Sequence, residues 1–94
     1  MIFIREFSGT DVLDFGEYEE IEHINFIIKN LNNNFDFKMI EKLDGPGATL
    51  WDILIDTHSF TLVHNSYGNY LKPTTNISKE YLHEIYQKLK ILFY

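Results

Sequence analysis

Asp52, Asp56, His58 and His64 fall within one short stretch in the middle of the chain. Two imidazoles and two carboxylates are a donor set for a divalent transition metal, and a small metal-dependent hydrolase would use such an ion to activate water. The spacing argues against that use. His58 and His64 flank a strand-length segment, so a single ion reaches both only if the hairpin turn folds back, and the pattern reads as surface histidines with no metal. The chain contains no cysteine, which removes thiolate zinc sites, disulfide frameworks and cysteine nucleophiles, and is compatible with a reducing cytoplasm. His23 and His83 also read as surface groups. Acid–base catalysis by paired carboxylates needs a cleft that raises one pKa, and no segment marks one. "DGPG" at 44–47 precedes a strand and not a helix, so it is a turn and not a phosphate cradle. Nucleophile-elbow, zincin and Walker motifs do not occur. The residues predict no enzyme and no cofactor.

The other chemistry on offer is charge. Residues 6 to 22, "EFSGTDVLDFGEYEEIE", hold seven carboxylates (Glu6, Asp11, Asp14, Glu17, Glu19, Glu20, Glu22) and no Lys or Arg. Such a run is either a solvated face or one half of an interface with a basic partner. Aromatic residues interleave with the acids at Phe7, Phe15 and Tyr18. Carboxylates steer an oppositely charged partner at long range, and a buried ring supplies the anchor. The predicted partner-binding set is Asp11, Asp14, Phe15, Glu17, Tyr18, Glu20 and Glu22. A second aromatic candidate is "YGNY", which would place Tyr67 and Tyr70 on an adaptable loop beside Asn69.

The whole chain narrows the partner. Net charge is −6, and it is uneven: residues 1–56 carry twelve acids against four bases, while residues 57–94 carry two acids against four bases. An acidic pole of this kind argues against nucleic acid and against anionic membranes. The apolar run before Arg5 is too short for a signal-peptide core, and no window approaches the roughly 20 apolar residues of a spanning helix. The chain therefore reads as soluble, untargeted and cytoplasmic. Twelve Ile and eight Asn against one Ala point to an AT-rich, bacterial coding region.

Ninety-four residues with fifteen aromatics make one domain, residues 1–94, burying roughly 60 to 65% of its extended surface around one core. Residues 2–7, "IFIREF", read as a first strand ended by Ser8 and Gly9. From Glu17 to Leu31, Ile21, Ile24, Ile28 and Leu31 recur at helical spacing with Ile27 beside them. The glutamates would sit in the first turns of this helix, where its dipole favours them. Phe35, Phe37 and Met39 alternate in a strand from 35 to 43. Trp51, Ile53 and Ile55 face the core from the next strand, and "FTLVHN" continues the meander. "NSYGNYLKP" reads as a loop with at most a short edge strand, stopped by Pro73. The last segment repeats Ile77, Tyr81, Ile85, Leu89 and Leu92 as a helical core stripe, with Asn76 or Ser78 as N-cap. The order βαβββα predicts an α+β domain with two helices on one face of a four-stranded antiparallel sheet.

A small, cysteine-free, acidic α+β domain with an acid–aromatic stretch and no catalytic set resembles the immunity proteins of bacterial contact-dependent growth inhibition and related polymorphic toxin systems. The resemblance is one of type, carried by the whole chain and not by a motif. It implies a cognate toxin domain as the protein partner, commonly a basic nuclease, neutralised by an acidic surface that mimics nucleic acid. The other classes left open by the residues are the metal-dependent hydrolase and a non-catalytic structural or adaptor subunit.

Overall fold

Four two-residue turns build most of the molecule, whose computed structural model describes residues 1–93. β1 (Phe3–Phe7) returns as β2 (Thr10–Asp14) around Ser8 and Gly9, both at positive φ. Strands β3 (Phe37–Gly45), β4 (Ala48–Ile55), β5 (His58–Asn65) and β6 (Gly68–Pro73) follow as a meander through Pro46–Gly47, Asp56–Thr57 and Ser66–Tyr67. A two-residue turn with both central residues at positive φ matches the twist of the strands it joins. All pairings are antiparallel, and the six strands lie in the order β1-β2-β6-β5-β4-β3. Between the hairpin and the meander, helix α1 (His23–Asn34) carries the chain across one face to the far edge, and α2 (Asn76–Leu89) returns over the same core.

The domain is α+β, but the four-stranded βαβββα expectation is wrong: the order is ββαββββα with six strands. Two strands escaped. In β2, Asp11 and Asp14 are poor strand formers, yet Asp14 sits opposite Phe3 and its carboxylate meets the Arg5 guanidinium at 2.6 Å. In β6, Gly68, Asn69 and Pro73 suggested a loop, but Leu71 pairs with Leu62 on one side and Leu13 on the other, so the strand is central.

One core lies between the sheet and both helices. Leu13, Trp51, Ile53, Ile55, Phe60, Leu62 and Leu71 face it from the strands, and Ile24, Ile27, Leu31, Leu82, Ile85 and Leu89 from the helices. The α2 stripe is shifted from the expected one. Ser78, Leu82, Ile85 and Leu89 point inward, Ile77 is 65% exposed, and Leu92 is exposed as well. Thr75, not Asn76 or Ser78, caps the helix, its hydroxyl accepting from the Ser78 amide at 3.0 Å. The opposite sheet face has no helix over it, and carries only a small cluster of Val12, Val63 and Tyr70 with Phe7 and Leu50 at its sides.

The β4–β5 turn is strained and pinned. Asp56 and Thr57 take φ of 49° and 69°, a region costly for any residue but glycine and most of all for β-branched threonine. Asp56 offsets this by joining three elements. Its Oδ1 accepts from the Asp36 amide at 2.8 Å, its own amide donates to the Asp36 carbonyl at 2.7 Å, and Tyr81 of α2 donates its hydroxyl to Oδ2. Burial pushes the Asp56 carboxyl up, but the Tyr81 and Asp36 donors outweigh it and its pKa falls. The same bond, with burial adding to it, raises Tyr81 to about 12.

Replacing Thr57 with glycine is expected to raise stability by about 1 kcal/mol in urea unfolding, since glycine takes this φ without strain. Tyr81→Phe is expected to cost about 1–2 kcal/mol, the value of a part-exposed hydrogen bond to a carboxylate. The sign of its pH dependence follows from the two shifts. The depressed Asp56 pKa makes the contribution present above the ordinary carboxylate value and lost as pH falls through the folded one. The raised Tyr81 pKa makes it present below about pH 10 and lost toward pH 12. The difference between wild type and Tyr81→Phe should be flat from about pH 5 to 9 and shrink at both extremes.

Candidate functional site

The acidic stretch begins in the edge hairpin and continues as an irregular loop, residues 16–22, rather than as the first turns of a helix. The loop is tied to the sheet through two of its carbonyl groups. Asn69 of β6 is 2% exposed, and its amide nitrogen donates to the Tyr18 carbonyl at 2.8 Å and the Glu20 carbonyl at 2.9 Å. The Glu20 carbonyl also accepts from the His23 amide at 3.1 Å, so the chain enters the helix through a tight i+3 turn. The helix starts at His23, with Glu22 at the N-cap and no acid in its first turn. At its other end it runs through the Asn run, whose Asn30 and Asn34 amides donate to carbonyls four residues back.

Two of the predicted binding residues are structural. Phe15 is fully buried, its ring 5.4 Å from that of Phe93, and its amide extends the β2–β6 ladder to the Asn69 carbonyl. Asp14 holds Arg5 through one oxygen and the Gly16 amide, at 2.7 Å, through the other. Tyr70 also fails as a loop contact: it is 5% exposed on the uncovered sheet face, where the Arg5 guanidinium lies 5.4 Å from its ring centre. Tyr67 at the tip of the β5–β6 turn is 75% exposed. Asp11 stands apart from the loop on β2, 3.9 Å from the imidazole of His83.

The remaining acids flank two features. On one side Tyr18 stacks on Phe26 of α1, ring centres 5.6 Å apart, with Phe93 and His23 edge-on around it. Phe26 is 42% exposed, a large ring held at the surface. It lies off the Ile24–Ile27–Leu31 stripe, and that displacement was the available sign that it does not belong to the core. His23 is half-buried, its Nδ1 accepting from the Glu20 amide at 3.0 Å and fixing the end of the loop.

On the other side Glu19 and Glu20 line a notch of about 550 Å³, closed by the β3–β4 and β5–β6 turns and His64. Gly68 makes the close approach possible: its φ is 112°, and a Cβ there would meet the Glu19 Cβ at 3.3 Å. His64 Nδ1 lies 2.7 Å from Asn69 Oδ1. Because the Asn69 amide nitrogen is engaged by two carbonyls, the oxygen accepts and His64 must donate from Nδ1, leaving Nε2 as an acceptor in the neutral ring. No Lys or Arg lines the notch. Glu17 is exposed and receives the Met1 ammonium, a hydrogen bond that lowers its pKa. Glu22 is exposed at the N-cap of α1, four residues from both Tyr18 and Phe26.

The four residues of the metal reading do not converge. Asp52 lies on the uncovered face and accepts from the Thr61 hydroxyl at 3.0 Å. His58 stacks on Tyr81 at 4.2 Å near the Asp56 turn, and His64 is at the other end of β5. Among the described residues no group of three or more His, Asp or Glu could hold one ion. Nor, among them, is any helix long and apolar enough to cross a membrane.

Removing the central amide tests this construction. Asn69→Ala should cost about 2–3 kcal/mol by stranding the Tyr18 carbonyl and the His64 N–H, while the Glu20 carbonyl keeps the His23 amide. Hydrogen exchange should accelerate across residues 16–22 while β4 and β5 remain protected; uniform loss of protection would refute the pinned-loop account. Compared with family models, with curated proteins and with solved structures, the chain finds no match.

Proposed function

We propose that the chain is an immunity-type protein that binds and neutralises a basic toxin domain, of the nuclease class, in the bacterial cytoplasm. The observation that carries the proposal is the pinned loop. Glu17, Glu19, Glu20 and Glu22 are held outward near the half-buried Tyr18 and the exposed Phe26 stacked on it, with a notch free of Lys and Arg beside them. Anchored carboxylates beside a fixed aromatic platform lose little entropy when a cationic surface docks. A lysine or arginine of the partner finds carboxylates and the His64 Nε2 in the notch, and a π-face at Tyr18 and Phe26.

The roles differ within this surface. The exposed glutamates set the rate of encounter, as charges at an interface rim do, whereas Tyr18 and Phe26 set the lifetime of the complex. Asp14, Phe15 and Tyr70 support the fold and leave the interface, Asp11 lies at its margin on β2, and Tyr67 is reachable at the end of the β5–β6 turn.

The test is co-expression with the product of the neighbouring gene, followed by association kinetics at two salt concentrations and a growth-protection assay. Glu17→Lys, Glu19→Lys and Glu20→Lys together should slow association by about tenfold or more at low salt, with an unchanged melting curve. Phe26→Ala should speed dissociation instead. Unaltered rates and salt dependence in the charge-reversed protein would place the interface elsewhere and reject the reading.

A further inference from the structure

The uncovered sheet face holds a groove whose electrostatics are opposite to those of the acidic loop. It occupies about 670 Å³, within the ordinary range for small-molecule sites, and Leu50, Val63 and Tyr70 form its floor. Lys72 of β6 and Lys79 of α2 both line it, and among the described residues no carboxylate does. Among the described residues neither lysine has a carboxylate within ion-pair distance. Asp52, two strands from Lys72 in the same cross-strand row, is engaged by the Thr61 hydroxyl. In a chain of net charge −6, two unpaired ammoniums beside one apolar floor are a departure from the surrounding field.

The backbone explains how the groove opens. β2 and β6 pair only at Leu13–Leu71 and Asp14–Tyr70, so the strands part toward Thr10 and Pro73. Pro73 offers no amide to extend the ladder. The chain then turns into α2, and the positive end of that helix faces the same end as the lysines. From Asn65 to Thr61 the groove follows β5 for about 13 Å at 3.3 Å per residue. It is thus elongated, with Leu50, Val63 and Tyr70 between hydroxyl- and amide-bearing walls, and cationic at one end.

We propose that this groove is a binding site for a small amphipathic carboxylate, its apolar body on Leu50, Val63 and Tyr70 and its charged head between Lys72 and Lys79. A phosphate head is the poorer match. The arginine fork that grips phosphate through two parallel bonds is missing, since no arginine lines this groove, and Thr75 already occupies the Ser78 amide at the start of α2. The site is separate in sign and purpose from the acidic interface, sharing only Ala48 and Asn65 with the notch beside it.

The test is a titration of the full chain, observed by amide resonances, with 4-phenylbutyrate, with 4-phenylbutylamine and with inorganic phosphate. 4-Phenylbutyrate should saturate below about 10 mM, shifting resonances of Leu50, Val63, Tyr70, Lys72 and the first turn of α2. The amine and phosphate should not saturate in that range. Lys72→Gln and Lys79→Gln, both at exposed positions, should each weaken binding about threefold, and the pair about tenfold, with the spectrum of the free protein retained. Equal binding of the amine, saturation by phosphate alone, unchanged affinity in the double variant, or shifts that map outside the groove would each overturn the assignment.

Discussion

The side-chain amide of Asn69 is the contact on which the arrangement of this surface depends. It is buried, and both its ends are engaged: the nitrogen by the carbonyls of Tyr18 and Glu20, some fifty residues away in sequence, and the oxygen by the ring of His64 on the neighbouring strand. A buried amide satisfied in this way is expensive to rearrange, because moving any partner strands another polar group away from water. The acidic loop is thereby tied to the strand beside it at Tyr18 and Glu20. That tie separates this stretch from the solvated acidic run that its composition alone would suggest.

A second constraint is the sheet order. The N-terminal hairpin docks on β6, the last strand of the meander, while α1 carries the chain to the opposite edge. The two edges are consequently β1 and β3. β3 is long and exposed, and it protects itself with a bulge between Met39 and Glu41 and with charges at Lys38, Glu41, Lys42 and Asp44. Those are the features by which natural sheets avoid pairing with a second molecule. Covering only one face leaves Val12, Val63 and Tyr70 to pack among themselves, screened by Phe7 and the Arg5 guanidinium. The result on one small domain is an acidic loop and, apart from it, an open sheet face with two lysines at one end.

Where hydrophobic period and turn chemistry act locally, the sequence was readable. Trp51, Ile53 and Ile55 face the core as their alternation requires, and Ile85 and Leu89 do so on α2. Where a distant partner decides, it was not. Ile21 was expected on the helical stripe, but it is 50% exposed in the loop before α1, a loop held by Asn69, some fifty residues on. β2 reads as acidic loop until Arg5 is placed beside Asp14. β6 reads as turn-rich until both flanking strands are in position. Of the predicted binding residues, the glutamates and Tyr18 stay together on one surface, Phe15 and Tyr70 are interior, and Phe26 joins them only through the fold.

Leu13 lies opposite Leu71, so the first hairpin to be synthesised is the last to gain a neighbour. Loop closure across most of the chain must precede that pairing, and contacts of such long range slow folding. As the chain leaves the ribosome, Ile4 and Leu13 have no apolar cover until β6 and α2 have followed. The nascent chain thus carries an unpaired strand edge until β6 has emerged, and the carboxylates of residues 6–22 set a like-charge repulsion against association of two such chains.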